Sequence, residues 1–379
     1  MGSTTLDASV TIKDLTEKLA ATAAITDKDA CFPSENLRLL GEHKFLGLLV
    51  PEEHGGLASS AVEFARVSQA IAGACASTGM IFVMHCCGID VIAKHLPSAG
   101  GILKAAAKGE HLSTLACSER GTGANFYASN SLSEEKAGQF ALSADKCFVT
   151  SGGFADSYVV ATRAVASEDY LNTSLYLVES DNPALSFYGK WEGLGLRGNS
   201  SIGMKLENCL VAPEKLIGAQ GQGFAIEMST ILPRFLLGTA AVYTGIAEAA
   251  LAATINHMGS RSHSHTGEKL SMLPVLRNKI ASMKVAVDSS TALMLNAAQV
   301  WQEGQEGALV MLLESKQLAC RTALDVTALA METCGGTAFT RVLPLERHLR
   351  DAQAGVLMAP TNDMLLDLIG RAALGLPLL

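Results

Sequence analysis

The order of two hydrophobic periodicities constrains this chain most. About a hundred residues of helical patterning precede about a hundred of short strand-like runs, and helical patterning then continues to the end. Leu37, Leu39, Leu40, Phe45 and Leu46 recur at helical spacing, so a helix is expected over Leu37 to Leu49, stopped at Val50-Pro51. His54-Gly55-Gly56-Leu57 reads as a turn, and a second helical run extends from about Ser60 to His95. QFALSADKCFVTSGG, SYVVATRAV, TSLYLVES and SIGMKLENCLV are rich in Val, Thr, Ser and aromatics and are separated by Gly, Asn, Asp or Pro. That is the texture of a small β sandwich or barrel. Helical runs return from about Gly223, and the one from Ala308 is expected to end at Gly335-Gly336, where glycine relieves the left-handed cap. The chain therefore reads as a multidomain α+β protein: a helical domain over 1–108, a β domain over 109–217 and a helical domain over 218–379. This order excludes the βαβ alternation of a nucleotide-binding parallel sheet.

Composition narrows the function classes. Hydrophobic residues are 49% and charged residues 17%, which excludes a disordered chain. Lys+Arg total 29 against 37 Asp+Glu, a net charge of −8, so the positive potential needed to hold nucleic acid is missing. The nine cysteines are odd in number, form no CxxC pair and mostly lie in apolar runs, the usage of reduced thiols in a cytoplasmic protein. The N-terminus lacks the charged-then-apolar pattern of a signal peptide. The longest apolar stretch, from Ile231, is broken by Arg234 and Glu248, and charges at that depth are costly in lipid. It is expected to be a buried helix, with no membrane partner.

Four motifs could carry chemistry. Gly193-Leu194-Gly195-Leu196-Arg197-Gly198 matches GxGxxG, but the segment after it reads as a strand, so no helix N-terminus is available for a pyrophosphate. It is expected to be a turn. Cys117 to Phe126, CSERGTGANF, places Gly121 and Gly123 where main-chain N–H groups can approach a ligand, although an ordinary Gly-rich turn has the same residues. In Lys146 to Gly153, KCFVTSGG, the two-residue period of a strand puts Phe148 and Thr150 on one face, able to stack on and hydrogen-bond a flat heterocycle, or simply to end a strand. His263 and His265 lie two apart, not at the i, i+4 spacing of a helical metal pair, so a solvated loop without metal is expected.

Taken in order, these segments resemble the acyl-CoA dehydrogenase family over nearly the whole chain. GLLVPEEHGG from Gly47 is similar to the family's early helix–turn, and CSERGTGANF to its T-E-P-G-x-G-S-D loop. KCFVTSGG is similar to W-I-T-N-G. GLGLRGNSS with ENCLVAPEKLIGAQGQGF resembles the turn and last strand before the C-terminal helices. CGGTAF with PLERHLRDA, Cys334 to Ala352, resembles Q-I-x-G-G and the segment ending in R-D-A. The resemblance implies an N-terminal helical domain, a middle β domain, a C-terminal four-helix bundle, FAD as cofactor and a homotetramer or homodimer. By motif, Ser118 stands where a Thr meets the flavin pyrimidine edge, within a loop holding Gly121, Gly123 and Ala124. Phe148 replaces the Trp beside the isoalloxazine, and Thr150 keeps its hydroxyl. Arg261, with His263 beside it, matches a neighbouring subunit's contact to the FAD pyrophosphate. Glu332, Gly335 and Gly336 match an adenine-side segment where Gln is usual instead of Glu332. Thr361 and Asp363 match further FAD contacts, and Arg234 an Arg at the mouth of the acyl-thioester site.

The departures bear on mechanism. The family removes an α-proton from an acyl thioester with a carboxylate base. One usual position for that Glu is Ala359 here, and the other, just before the matched Arg, is Pro233; Asp363 is the nearest carboxylate by sequence. The family's loop Ser and Asp are Ala124 and Asn125. The resemblance thus implies an FAD-dependent oxidoreductase acting on an acyl-CoA or acyl-carrier-protein thioester with an atypical or displaced base. It also admits a flavin-dependent monooxygenase of the same fold, using reduced flavin and O2, or a non-catalytic subunit of a hetero-oligomer. An electron-transfer or flavin-reductase partner is implied by the first two.

Overall fold

The computed structural model describes residues 8–378. The expectation about a signal peptide concerns residues that include 1–7, which lie outside those described. The first domain holds α1 (Ala8–Asp29), α2 (Ser34–Glu42), α3 (Ala61–Ala74), α4 (Ala76–His95) and α5 (Gly100–Lys108). Two expected helices are shorter than their periodicity suggested. The first stops at Glu42 because Lys44 adopts a left-handed φ of 64° before a short 3₁₀ turn over Phe45–Gly47. The second is broken into α3 and α4 at Cys75, which is extended at φ −149° and ψ 109°. At its start, Ser60 and Glu63 form a reciprocal capping box, which satisfies two otherwise orphaned donors.

The middle domain is a sandwich of two four-stranded sheets. One runs β1 (Ser113–Ala116), β4 (Ser157–Arg163), β5 (Thr173–Glu179), β8 (Leu216–Ile217); the other runs β2 (Leu132–Lys136), β3 (Gln139–Val149), β7 (Ile202–Val211), β6 (Leu185–Tyr188). β1 pairs parallel with β4, and the remaining pairs are antiparallel. The C-terminal domain has α6 (Gly223–Ile226), a π-helical turn over Glu227–Ile231, α7 (Leu232–Ser260), α8 (Pro274–Gln302), α9 (Ala308–Cys334), α10 (Leu345–Ala352) and α11 (Asn362–Ala373). α9 ends at Gly335, whose φ of 56° only glycine adopts without strain.

Apolar α4 and α7 form the spine. α4 and the continuous helical stretch Gly223–Ser260 that ends in α7 are long and apolar enough to cross a membrane, yet 89% and 78% of their apolar windows lie inside the fold. Arg234 is buried on α7, its Nε 3.0 Å from Asp90 Oδ2 and its guanidinium between the rings of Phe64 and Trp301 at 4.9 and 4.6 Å. Pairing and stacking make a buried charge tolerable there.

The glycine-rich segment rejected as a dinucleotide motif is a seam between domains. A Cβ on Gly195 would sit 2.3 Å from the Arg350 carbonyl oxygen, and one on Gly198 2.5 Å from Thr26 Cγ2. Close approach to α10 and α1 therefore requires glycine. The Leu196 N–H donates to Asp351 Oδ1 at 2.7 Å, the Gly198 N–H to Ser77 Oγ at 3.0 Å, and Arg350 clamps Asp27 of α1 with two bonds of 2.7 and 2.6 Å. Similarly, buried His85 of α4 donates from Nε2 to the Leu46 carbonyl at 2.8 Å and accepts the Ser113 N–H at Nδ1 at 3.1 Å, fixing β1 against the helices.

Burial pushes the His85 imidazole down to about 4 and that of His348 down to about 3. Both stay unprotonated in the fold where an unfolded histidine takes up a proton. Their stabilisation is thus full above about pH 6.5 and is lost as pH falls below it. We expect stability to chemical denaturant to fall by about 1.4 kcal/mol per pH unit per histidine between pH 6.5 and 5. The His85→Gln, His348→Gln double variant should show a shallower slope; an unchanged slope would contradict this.

Candidate active site

The site is built on a buried ion pair. Lys146, near the end of β3, is fully buried and bonds Glu119 in the loop after β1. Glu119 also accepts from Ser129 Oγ and Ser131 Oγ, each at 2.7 Å, and from the Asn130 N–H at 2.7 Å. Burial works against ionisation of Glu119, but the Lys146 charge and these bonds outweigh it and hold the carboxyl below the usual carboxylate range. The ammonium also reaches the Cys117 carbonyl at 3.4 Å, and the Cys147 N–H donates to the Ser118 carbonyl at 3.0 Å. The loop after β1 is thereby laid along β3.

A cavity of about 550 Å³ opens beside this pair, between the β sandwich and helices α4 and α7. Ser118, Gly123, Ala124, Phe148 and Thr150 line it, as does Ala359. Phe148 and Thr150 share this wall for a different reason than strand alternation. β3 is bulged between Lys146 and Val149, Phe148 takes a φ of 54°, and Cys147, Phe148 and Thr150 all border the cavity. Thr150 Oγ1 lies 3.1 Å from Ser201 Oγ, and the ring of Phe148 is 68% exposed within this concavity. Trp191, fixed by its Nε1–H to the Leu196 carbonyl at 2.7 Å, forms another face. Apolar Met80, Met84, Ile231, Leu232 and Phe235 close the helical side.

Other expected residues stand elsewhere. Gly121 borders a neighbouring surface groove. Arg234 does not reach the cavity, because Asp90, Phe64 and Trp301 hold it in the helical core. Pro233 is buried on α7 away from the cavity lining. Asp363 is exposed in the first turn of α11, and Thr361 caps that helix by accepting from the Met364 N–H. Arg261 and His263 are in the turn after α7, and Glu332 on α9 pairs with Lys279 at 3.2 Å. Gly335 and Gly336 follow α9. A single chain does not bring this second set to the cavity.

All nine cysteines are free thiols, with Cys31 alone exposed. Among the described residues no cluster of His, Cys, Asp and Glu is arranged to hold a metal ion.

Every one of the three segments matches a family model. The N-terminal, middle and C-terminal domain models of acyl-CoA dehydrogenase match residues 10–96, 114–209 and 221–374. The chain belongs to the acyl-CoA dehydrogenase family. It is 27% identical to an acyl-CoA dehydrogenase of Bacillus subtilis, over 96% of each chain. Its fold matches butyryl-CoA dehydrogenase from Megasphaera elsdenii with a TM-score of 0.91 at 25% identity, covering 99% of this chain and 100% of the other. The structure of PigA with FAD and proline matches with a TM-score of 0.85 at 21% identity, covering 99% and 100%. The family is FAD-dependent, and this cavity fits a flavin. It offers the exposed ring of Phe148 for a flat face, the hydroxyls of Ser118, Thr150 and Ser201 for polar edges, and main chain at Gly123, whose φ is 59°.

Two features were not read from the sequence. Lys316 of α9 is buried and donates to the carbonyls of Met358 and Pro360 at 3.0 and 2.6 Å, fixing the strand of loop that carries Ala359. Glu227, in the π-helical turn, is fully buried with neither carboxyl oxygen hydrogen-bonded. Burial pushes its carboxyl up to about 8, although the Lys146 charge and the Cys117 thiol pull it down. A single acid inside the apolar run from Phe224 to Phe235 was the available signal.

Lys146→Met leaves Glu119 buried without its counter-charge. A loss of about 3–5 kcal/mol in stability is expected, together with loss of bound flavin. Thermal unfolding and flavin content check it; a variant with unchanged values for both would contradict the role given to the pair.

Proposed function

We propose that this chain is an FAD-dependent oxidoreductase acting on the CH–CH bond of an acyl thioester, with its base displaced from both usual family positions. The observation that supports this reading is the cavity itself. Flavin-compatible groups line its β side, apolar side chains line its helical side, and Ala359, matched by motif to a usual Glu position, borders it. FAD, when bound, supplies a two-electron acceptor. Ser118, Thr150 and Ser201 hold and orient its polar edge, and Phe148 and Trp191 cover its faces. Met80, Met84, Ile231 and Phe235 receive an acyl chain and exclude water, which strengthens polar interactions inside. Lys316 keeps the Ala359 loop in place, so the Ala359 side chain leaves space without collapse of that wall.

The carrier is CoA or an acyl carrier protein, and an electron-transfer protein takes the electrons onward. We also assign a homotetramer or homodimer in a cytoplasmic setting. Phe339, 86% exposed just beyond Gly335 and Gly336, supports coverage of that segment by a second copy, which would bring Arg261, Glu332 and the two glycines to a neighbour's FAD. A second reading is favoured by the lining: Glu119 is committed to Lys146, so no unpaired carboxylate borders the cavity among the described residues. A flavin-dependent monooxygenase, which needs no such base, has the same walls.

An anaerobic absorbance titration with a panel of acyl-CoA thioesters tests the choice. We predict bleaching of the oxidised flavin. Intact flavin with no bleaching would overturn the proposal, and O2-dependent product formation with an added reductase would then establish the oxygenase. Turnover only after addition of a homologous chain would establish a silent subunit. Ala359→Glu restores a carboxylate to the wall and should raise the reduction rate by about 10²-fold. A variant that binds flavin normally and reduces no faster would show that the missing Glu is not the barrier.

A further inference from the structure

We propose that Glu227 is the proton acceptor for the α-carbon of the substrate, acting through the Cys117 thiol as a relay. This rests on the thioester reading above. The cavity's hydroxyls and amides, Ser118, Thr150, Ser201 and Asn199, are not bases at neutral pH, and Glu119 is neutralised by Lys146. Behind this lining stands one carboxyl without a hydrogen bond, Glu227, which has no exposure to solvent. A buried acid left unsatisfied is costly, and a chain that retains one calls for a functional reason.

Its neighbours explain the reason. Cys117 borders the cavity and stands against the Glu227 carboxyl, close enough that each group alters the other's titration. Neither carboxyl oxygen has a hydrogen-bond partner, which leaves both lone-pair sites open to a proton. Lys146 faces Glu227 from β3 and stabilises its charged form, with Glu119 beyond it. From α4, His95 Nε2 lies 2.9 Å from Thr230 Oγ1 of the same π turn. That turn begins at Glu227 and ends at Ile231, which lines the cavity. π turns recur at functional sites because they re-aim side chains without ending a helix.

The step is a proton transfer. The α C–H bond breaks and its proton passes to Cys117 Sγ, while the thiol S–H bond breaks and that proton passes to a Glu227 oxygen. The electron pair stays on the α-carbon and spreads into the thioester carbonyl. One negative charge moves from Glu227 to the substrate. The relay needs the ionised carboxylate, so its rate rises with pH through the range in which Glu227 deprotonates, near about 8.

The probe is 3-thiaoctanoyl-CoA, in which sulfur replaces the β-carbon so that oxidation is blocked. Holoprotein and probe are incubated in D2O, and deuterium at the α-position is read by mass spectrometry. Wild type should exchange, about tenfold faster per pH unit up to about pH 8 and level above it. Glu227→Gln and Cys117→Ala should each lose about 10²-fold or more and the pH dependence, with flavin content and probe affinity retained. Either variant exchanging like wild type with the same pH profile overturns the relay and leaves the thioester reading standing. Wild type that keeps its flavin but neither binds nor exchanges the probe overturns the thioester reading, and this assignment with it.

Discussion

A lysine ammonium with no access to water must find its counter-charge inside the protein, and Lys146 finds it in Glu119. The rest of the site follows from that requirement. The pair sets the loop after β1 alongside the bulged end of β3. Cys117 and Ser118, just before Glu119, and Cys147 and Phe148, just after Lys146, consequently share one wall of the cavity. The charge of the same ammonium also favours the ionised form of the unsatisfied Glu227, so one buried cation serves a fixed carboxylate and a titratable one. Structural and chemical roles are combined because a second buried charge is cheaper beside an existing one than alone.

The cavity has walls from all three domains, so its width depends on how they are held together. Polar seams do this work, not loosely packed surface. Leu196, which lines the cavity, is fixed through its N–H to Asp351, while Gly198 meets Ser77 and Arg350 clamps Asp27. Burial pushes the Asp351 carboxyl up to about 6, against the bond from Leu196 that pulls it down. Lys316 performs the same service on the opposite wall by holding the carbonyls on both sides of Ala359. The backbone that carries Ala359 is thus tied down on both sides.

How far this was legible from residues alone follows the physics. The order of helices, strands and helices was legible because periodicity reports local burial, and α7 was visible as a buried apolar run. The break at Cys75 was not, because nothing in its side chain demands an extended backbone. Motif order picks out Ser118, Phe148 and Thr150, and all three border the cavity. The bulge that turns both Cys147 and Phe148 to the cavity was invisible to a two-residue period. Arg234 matched a substrate position by motif, yet Asp90, Phe64 and Trp301, distant in sequence, decide where its guanidinium goes. Glu227 carried its own signal as a lone acid among apolar residues, but only its burial and the Cys117 thiol give that signal a meaning.

The most direct test of the account is a crystal structure of the holoprotein with a non-oxidisable acyl thioester. It predicts the isoalloxazine against Phe148 and Thr150, the acyl chain among Met80, Met84 and Phe235, and the α-carbon facing Cys117 with Ala359 making no polar contact. An α-carbon remote from Cys117, or a flavin bound away from Phe148, would contradict it.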